Sequence, residues 1–210
     1  MKNIANQMAK NLLQIKAIKL EPQNYFTWAS GWFSPIYCDN RKTLSFPTVR
    51  NFIRDAFVET AKENFADFDL IAGVATGGIA HGALVAEKMD KPFAYVRAKS
   101  KGHGMGNKIE GVVSKGQKVL VIEDLISTGN SSLNAVQALR EAGCKVVGMI
   151  AIFTYDFDVA KDNFENENVI LYTLSNYHAI LEQAKTSGFI KENDILTLQE
   201  WRKNPGKWKK

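Results

Sequence analysis

From Asp69 to Leu174 short apolar runs alternate with segments whose apolar residues recur at helical spacing, and few architectures accept that alternation. DLIAGVA, FAYVRA, KVLVIED, KVVGMIAIF and VILYTL have the length and β-branched content of strands. GGIAHGALVAEKM and SSLNAVQALREAG have the period of helices. Strands joined through helices return to the same end of a sheet and pair in parallel. Val119 to Ile122 is apolar at every position rather than every second one, the mark of a strand covered on both faces. These features predict an α/β fold, a mainly parallel sheet flanked by helices, with Asp69 to Leu174 as its core.

Two helical stripes precede the core, Ile4 to Leu20 and Pro47 to Phe65, the second marked by Val49, Phe52, Ile53, Ala56 and Phe57. Between them FTWASGWFSPIYCDNR is aromatic and turn-rich, with strand potential at Ile36 to Cys38, so residues 20–45 are read as a small hood over one end of the sheet. NYHAILEQAKTSG and ENDILTLQEWRKN read as terminal helices, and PGKWKK as a fraying basic tail. With 210 residues, 45% of them hydrophobic and 23% charged, the chain can bury one sizeable core, and 1–210 is read as a single domain. Cys38 and Cys144 make no metal spacing and no disulfide framework, which suits reduced thiols in a cytoplasmic protein. The N-terminus lacks signal-peptide features and no run has membrane-spanning length, so no membrane partner is expected. A net charge of +5 suits small anions as well as nucleic acid, and the placement of the charge decides between them.

VLVIEDLISTGNSS, Val119 to Ser132, runs an apolar strand into two adjacent carboxylates, Glu123 and Asp124, and then into a hydroxyl- and glycine-rich turn. In an open α/β sheet ligands bind beyond the carboxyl ends of strands, where this turn falls. Ser127, Thr128, Gly129, Asn130 and Ser131 offer backbone N–H groups and hydroxyls at a helix N-terminus, whose dipole favours an anion. A plain helix cap explains Asn130 or Ser131 but not the carboxylates, which only accept hydrogen bonds and suit a sugar diol or a cation. A ribose held by its hydroxyls, with its 5′-phosphate in the turn, uses both halves. The glycine-lysine ending of a Walker A loop is absent.

YVRAKSKGHGMGNKIEG, Tyr95 to Gly111, gathers Arg97, Lys99, Lys101, His103 and Lys108 among glycines before the first acid, Glu110. A solvated basic hairpin is the plain reading. The glycine spacing and the histidine favour a mobile catalytic loop, residues 97–110, that folds over an anion.

The first motif looks like the phosphoribosyl pyrophosphate (PRPP) signature of type I phosphoribosyltransferases. The second resembles the catalytic loop of the orotate phosphoribosyltransferase family, an arginine, a spaced lysine and histidine-glycine-x-glycine. The resemblance runs from FTWASGWFSPIYCDNR through LQEWRKNP. It implies a type I phosphoribosyltransferase-like fold with an N-terminal hood, transfer of ribose 5-phosphate from PRPP to orotate, and Mg2+ as cofactor, held mainly by PRPP. It further implies a homodimer in which the loop of one subunit closes over the site of the other. Carried over by position, Arg97, Lys101 and His103 contact the pyrophosphate with Lys99 assisting, and Lys101, His103 and Asp124 are catalytic. Glu123, Asp124, Leu125, Ile126, Ser127, Thr128, Gly129, Asn130 and Ser131 hold the ribose 5-phosphate, and Ser127 also reaches the base. GVATGG, Gly73 to Gly78, looks like the pyrophosphate loop through Thr76 and Gly77, although such glycines equally ease helix-to-strand packing.

Against another bacterial branch of the family, Ala98 follows Arg97 where a lysine stands, and Ala29 precedes Ser30 and Gly31 where a lysine stands. An aspartate-arginine pair after the strand ending near Phe153, whose arginine grips the orotate carboxylate, is replaced by Thr154 and Tyr155. Arg41 and Tyr37 are therefore expected to recognise the base. His81 and His178 read as packing or capping residues, Trp28 and Trp32 as either core or a stacking wall, and Trp201 and Trp208 as packing against the domain. Two rivals stand beside this reading. One is transfer to a purine or uracil, which shares the PRPP motif. The other is a nucleic-acid-binding sensor on the same fold, for which no helix-turn-helix pattern is offered.

Overall fold

The computed structural model describes residues 2–28, 30–65, 67–98 and 108–208. The chain opens with α1 (Lys2–Gln14), which buries Met8, Leu12 and Leu13. Its helix stops before the expected Leu20, because Ile18–Leu20 forms β1 in antiparallel register with β4 (Ile36–Cys38). Over so short a stretch the apolar spacing fits either period, and the paired strand decides. β2 (Phe26–Thr27) and β3 (Phe33–Ser34) make a small hairpin, its turn carried by Gly31 at φ 80°. A 3-10 helix, Asn40–Ser45, leads into α2 (Pro47–Asn64), whose proline sits at the helix start where a missing N–H costs nothing.

The alternating core follows as β5 (Leu70–Val74), α3 (Gly77–Met89), β6 (Phe93–Val96), β7 (Ile109–Glu110), β8 (Lys118–Ile126), α4 (Asn130–Glu141), β9 (Lys145–Thr154), α5 (Asp158–Asn166) and β10 (Leu171–Asn176). The sheet order is β10-β9-β8-β5-β6-β7, parallel throughout except for β6 with β7. β5 leads through α3 to β6 on one side, and β8 leads through α4 to β9 on the other. The direction of winding therefore reverses between β5 and β8, and a crevice opens beyond their carboxyl ends.

β8 is buried on both faces as its sequence predicts. Leu120 and Ile122 enter the core shared with α1, α2 and α3, and Val119 and Val121 the core shared with α4 and α5. α5 was not expected from the sequence, since DVAKDNFEN turns only Ala160 and Phe164 inward, too thin an apolar stripe to read. α6 (Tyr177–Thr186) and α7 (Glu192–Lys203) return over the hood side. Trp201 is fully buried and donates its indole N–H to the Phe33 carbonyl at 3.0 Å. The basic tail, expected to fray, is held as far as Trp208, which packs against the domain as expected, its ring meeting Tyr25 edge-on at 5.4 Å. Both cysteines are free thiols, and no helix among the described residues is long and apolar enough to cross a membrane.

Candidate active site

The two carboxylates at the end of β8 have different surroundings. Glu123 is 4% exposed, with Oε1 accepting from the Asp124 N–H and Oε2 from the Ser132 hydroxyl, both at 2.8 Å. Burial, reinforced by the neighbouring Asp124 charge, pushes its pKa well above the usual carboxylate range. Asp124 is half-buried and lies against Gly77 at the start of α3, where any Cβ would fall inside its carboxylate. Burial raises its pKa as well, while Arg41 works the other way. Of the pair expected to face a ligand together, Asp124 stands at the crevice and Glu123 is turned in toward α4.

The turn after Asp124 is not a side-chain cap. Gly129, at φ 83°, occupies the N-cap of α4 with no side-chain cap hydrogen bond, and a Cβ there would strike the Phe164 ring. Asn163 of α5 pins the turn by donating to the Thr128 carbonyl at 2.9 Å and to Asn130 Oδ1 at 3.1 Å. The positive end of α4 is thus presented without a protein acceptor from its cap. Ser131 and Asn130 are exposed, Ser127, Thr128 and Leu125 half-buried, and Ile126 fully buried, so Ile126 offers the site its backbone alone. In the GVATGG segment the two glycine readings divide by position. Gly73 and Gly78 let α3 press backbone to backbone on β5 and β8, whereas Gly77, beside exposed Thr76, makes room for Asp124.

Beside this carboxylate lies a cleft of about 580 Å³, walled by Trp28, Trp32 and Tyr37 of the hood, Ser127 and Thr128 of the turn, and Tyr155 beyond β9. Trp28 and Trp32 stack at 6.3 Å, and Trp28 also rests on Tyr155 at 5.0 Å, so it serves as core and wall at once. Tyr155 is 2% exposed, burial holds its phenol well above the usual range, and no described residue hydrogen-bonds its hydroxyl. Arg41, expected at the base, is exposed and paired with Asp39 at 2.6 Å, outside the residues that wall the cleft. The sequence reading missed Arg202 of α7, which donates to the Tyr155 carbonyl at 3.2 Å and also to the Asp156 carbonyl. A guanidinium does stand at this strand end, supplied by the terminal helix and engaged with backbone.

Arg97 and Lys108 are the stems of the basic loop, joined by the Arg97 N–H to the Lys108 carbonyl at 2.8 Å, and the Arg97 guanidinium reaches Glu110 at 3.3 Å. Lys99, Lys101 and His103 lie outside the described residues. His81 is buried and packs as expected, burial lowering its pKa to about 4. His178 is exposed, and the cap of its helix is Asn176, accepting from the Ala179 N–H at 2.9 Å. No group of three or more His, Cys, Asp or Glu side chains among the described residues is placed to hold a metal by itself. One open carboxylate beside an anion cradle instead suits a magnesium ion that arrives on phosphate oxygens.

Residues 49–176 match the family model of the phosphoribosyl transferase domain. Over 208 residues the chain is 54% identical to the orotate phosphoribosyltransferase of Cytophaga hutchinsonii, covering 99% of this chain and 100% of that protein. It is 56% identical over 208 residues to that of Bacteroides thetaiotaomicron, covering 99% and 98%. The crystal structure of orotate phosphoribosyltransferase from Aeropyrum pernix superposes with a TM-score of 0.76 at 29% identity, covering 88% of this chain and 99% of that one.

Proposed function

The chain belongs to the orotate phosphoribosyltransferases of the phosphoribosyl transferase domain family, and from that membership we propose how its site performs their reaction. The reaction moves the ribose 5-phosphate of PRPP to N1 of orotate, giving orotidine 5′-monophosphate and pyrophosphate, a step of pyrimidine (UMP) biosynthesis. The observation that carries the proposal is the position of Asp124, between an uncapped helix N-terminus and an aromatic cleft. Phosphate, ribose and base each have a place along that line.

In this reading the backbone and hydroxyls from Leu125 to Ser131 take the 5-phosphate, and Asp124 accepts from the ribose hydroxyls. Glu123 joins Asp124 only by giving up Ser132. As the C1′ to oxygen bond breaks, positive charge develops on the ribose ring, and a fixed carboxylate close by stabilises it. Arg97, Lys99, Lys101 and His103, with the backbone of Thr76 and Gly77, take the leaving pyrophosphate, and Lys101 or His103 gives it a proton. Bound Mg2+, held chiefly by PRPP with Asp124 as the nearest open carboxylate, would neutralise phosphate charge. Trp28 and Trp32 wall the base, while Ser127, Tyr37, Tyr155 and Arg41 offer it donors. A cytoplasmic homodimer completes the reading, the loop 97–110 of each subunit closing over its partner's site and excluding water.

The test is the loss of orotate absorbance on mixing the protein with PRPP and magnesium, beside uracil, hypoxanthine and adenine as competitors. Turnover of orotate alone is expected. Turnover of another base would move the specificity to a different reading of the hood.

A further inference from the structure

Asn40 joins the hood to the ribose carboxylate, and no step outlined above uses it. Asn40 is 1% exposed, and both ends of its amide are hydrogen-bonded. Nδ2 donates to the Asp124 carbonyl at 2.6 Å, Oδ1 accepts from the Cys38 thiol at 3.3 Å, and its backbone carbonyl accepts from the Thr43 hydroxyl at 2.5 Å. Thr43 Oγ1 in turn lies 3.0 Å from His81 Nε2 on α3. Because the single Thr43 proton goes to Asn40, the His81 Nε2–H is the donor in that contact, which leaves His81 Nδ1 buried without a partner. An orphaned buried nitrogen costs stability, so this chain of contacts is not explained by stability alone.

The position of Asp124 shows what the chain of contacts does. β8 is paired with β5 only as far as Ile122, and beyond that point no strand pairs with it on this side. Asn40 Nδ2 takes the Asp124 carbonyl where the pairing with β5 has ended. It thereby fixes the peptide that carries the carboxylate over Gly77. Cys38, the other partner of Asn40, walls the base cleft, so the same amide ties base side to ribose side.

We propose that Asn40 is a positioning residue that sets the Asp124 carboxylate for the ribose of PRPP. The proposal rests on the reading of Asp124 as the ribose acceptor. The test is a double-mutant cycle on PRPP affinity, by calorimetry in magnesium without orotate, for the wild type, N40A, D124N and the double variant, with melting curves to confirm folding. Loss of Asn40 weakens PRPP binding by about tenfold when Asp124 is present, and by less than about twofold when it is Asn, since the position of an absent carboxylate no longer matters. Equal losses in both backgrounds, or wild-type affinity in N40A, would overturn the proposal. Wild-type PRPP affinity in D124N would instead sink the reading of Asp124 on which it stands. If N40A does not fold, N40S, which keeps a hydroxyl at the position, enters the same cycle.

Discussion

Glu123 and Asp124 share a chemistry and a sequence neighbourhood, yet one is tied to Ser132 inside the fold and the other lies against Gly77 at the crevice. Their partners differ even though the two carboxyls lie close enough to interact directly. In the proposed base cleft, Tyr155 has a hydroxyl to which no described residue hydrogen-bonds, and removing one neutral hydrogen bond to a ligand costs about 0.5–1.5 kcal/mol. Tyr155→Phe should therefore raise the orotate KM by about threefold to tenfold and leave that of PRPP unchanged. If Arg41→Ala gives the same pattern, Arg41 leaves Asp39 to meet the orotate carboxylate; an unchanged KM would remove it from the base site. His81 bears on stability. Its folded pKa of about 4 lies below the ordinary 6.5, so the unfolded chain takes up a proton first, and stability present above pH 6.5 is lost as pH falls toward 4. The loss reaches about 3 kcal/mol, and in His81→Gln the melting temperature should fall less over that range. Parallel melting curves for the two proteins would remove His81 as the cause.

Among the elements, the β5, β6, β8, β9 and β10 strands and the helices α2, α3, α4, α6 and α7 were legible, because each carries a long apolar pattern of one period. α5 was not, since only Ala160 and Phe164 mark its inner face, and β1 was absorbed into the preceding helix because Ala17, Ile18 and Leu20 fit both periods. The carboxylates and the Ser127 to Ser131 turn could be read because acids and glycine at the end of an apolar strand are chemically out of place there. Asn40, Tyr155 and Arg202 could not be placed, because their roles come from partners far away in sequence: Asn40 meets Asp124 across 84 residues, and Arg202 meets the Tyr155 carbonyl across 47. No local pattern records such contacts. The segment 97–110 follows β6 in the chain, and of its described residues Arg97 and Lys108 are joined backbone to backbone while Ile109–Glu110 forms β7. Its chemistry is expected from the sequence. Lys101→Gly should lower turnover by about a hundredfold or more while the melting temperature stays level. Unchanged turnover with an equal melting temperature would refute a catalytic role for Lys101.

Over the whole molecule, the parallel sheet and its reversal between β5 and β8 create the crevice, and the hood closes it with aromatic walls. The sheet supplies the two helix N-termini, the carboxylate and the glycine that makes room for it, and in the proposed site the hood supplies the walls that meet the base. In the proposed site, function is set against stability at one residue. Asp124 is a carboxylate whose charged form burial disfavours in the free protein, and ribose hydroxyls would satisfy it only when PRPP is bound. The direct measurement is orotate turnover and melting temperature of Asp124→Asn beside the wild type at neutral pH. Turnover about a hundredfold to a thousandfold lower, with an equal or higher melting temperature, is the expected result. A folded Asp124→Asn protein that turns over orotate at the wild-type rate would contradict it.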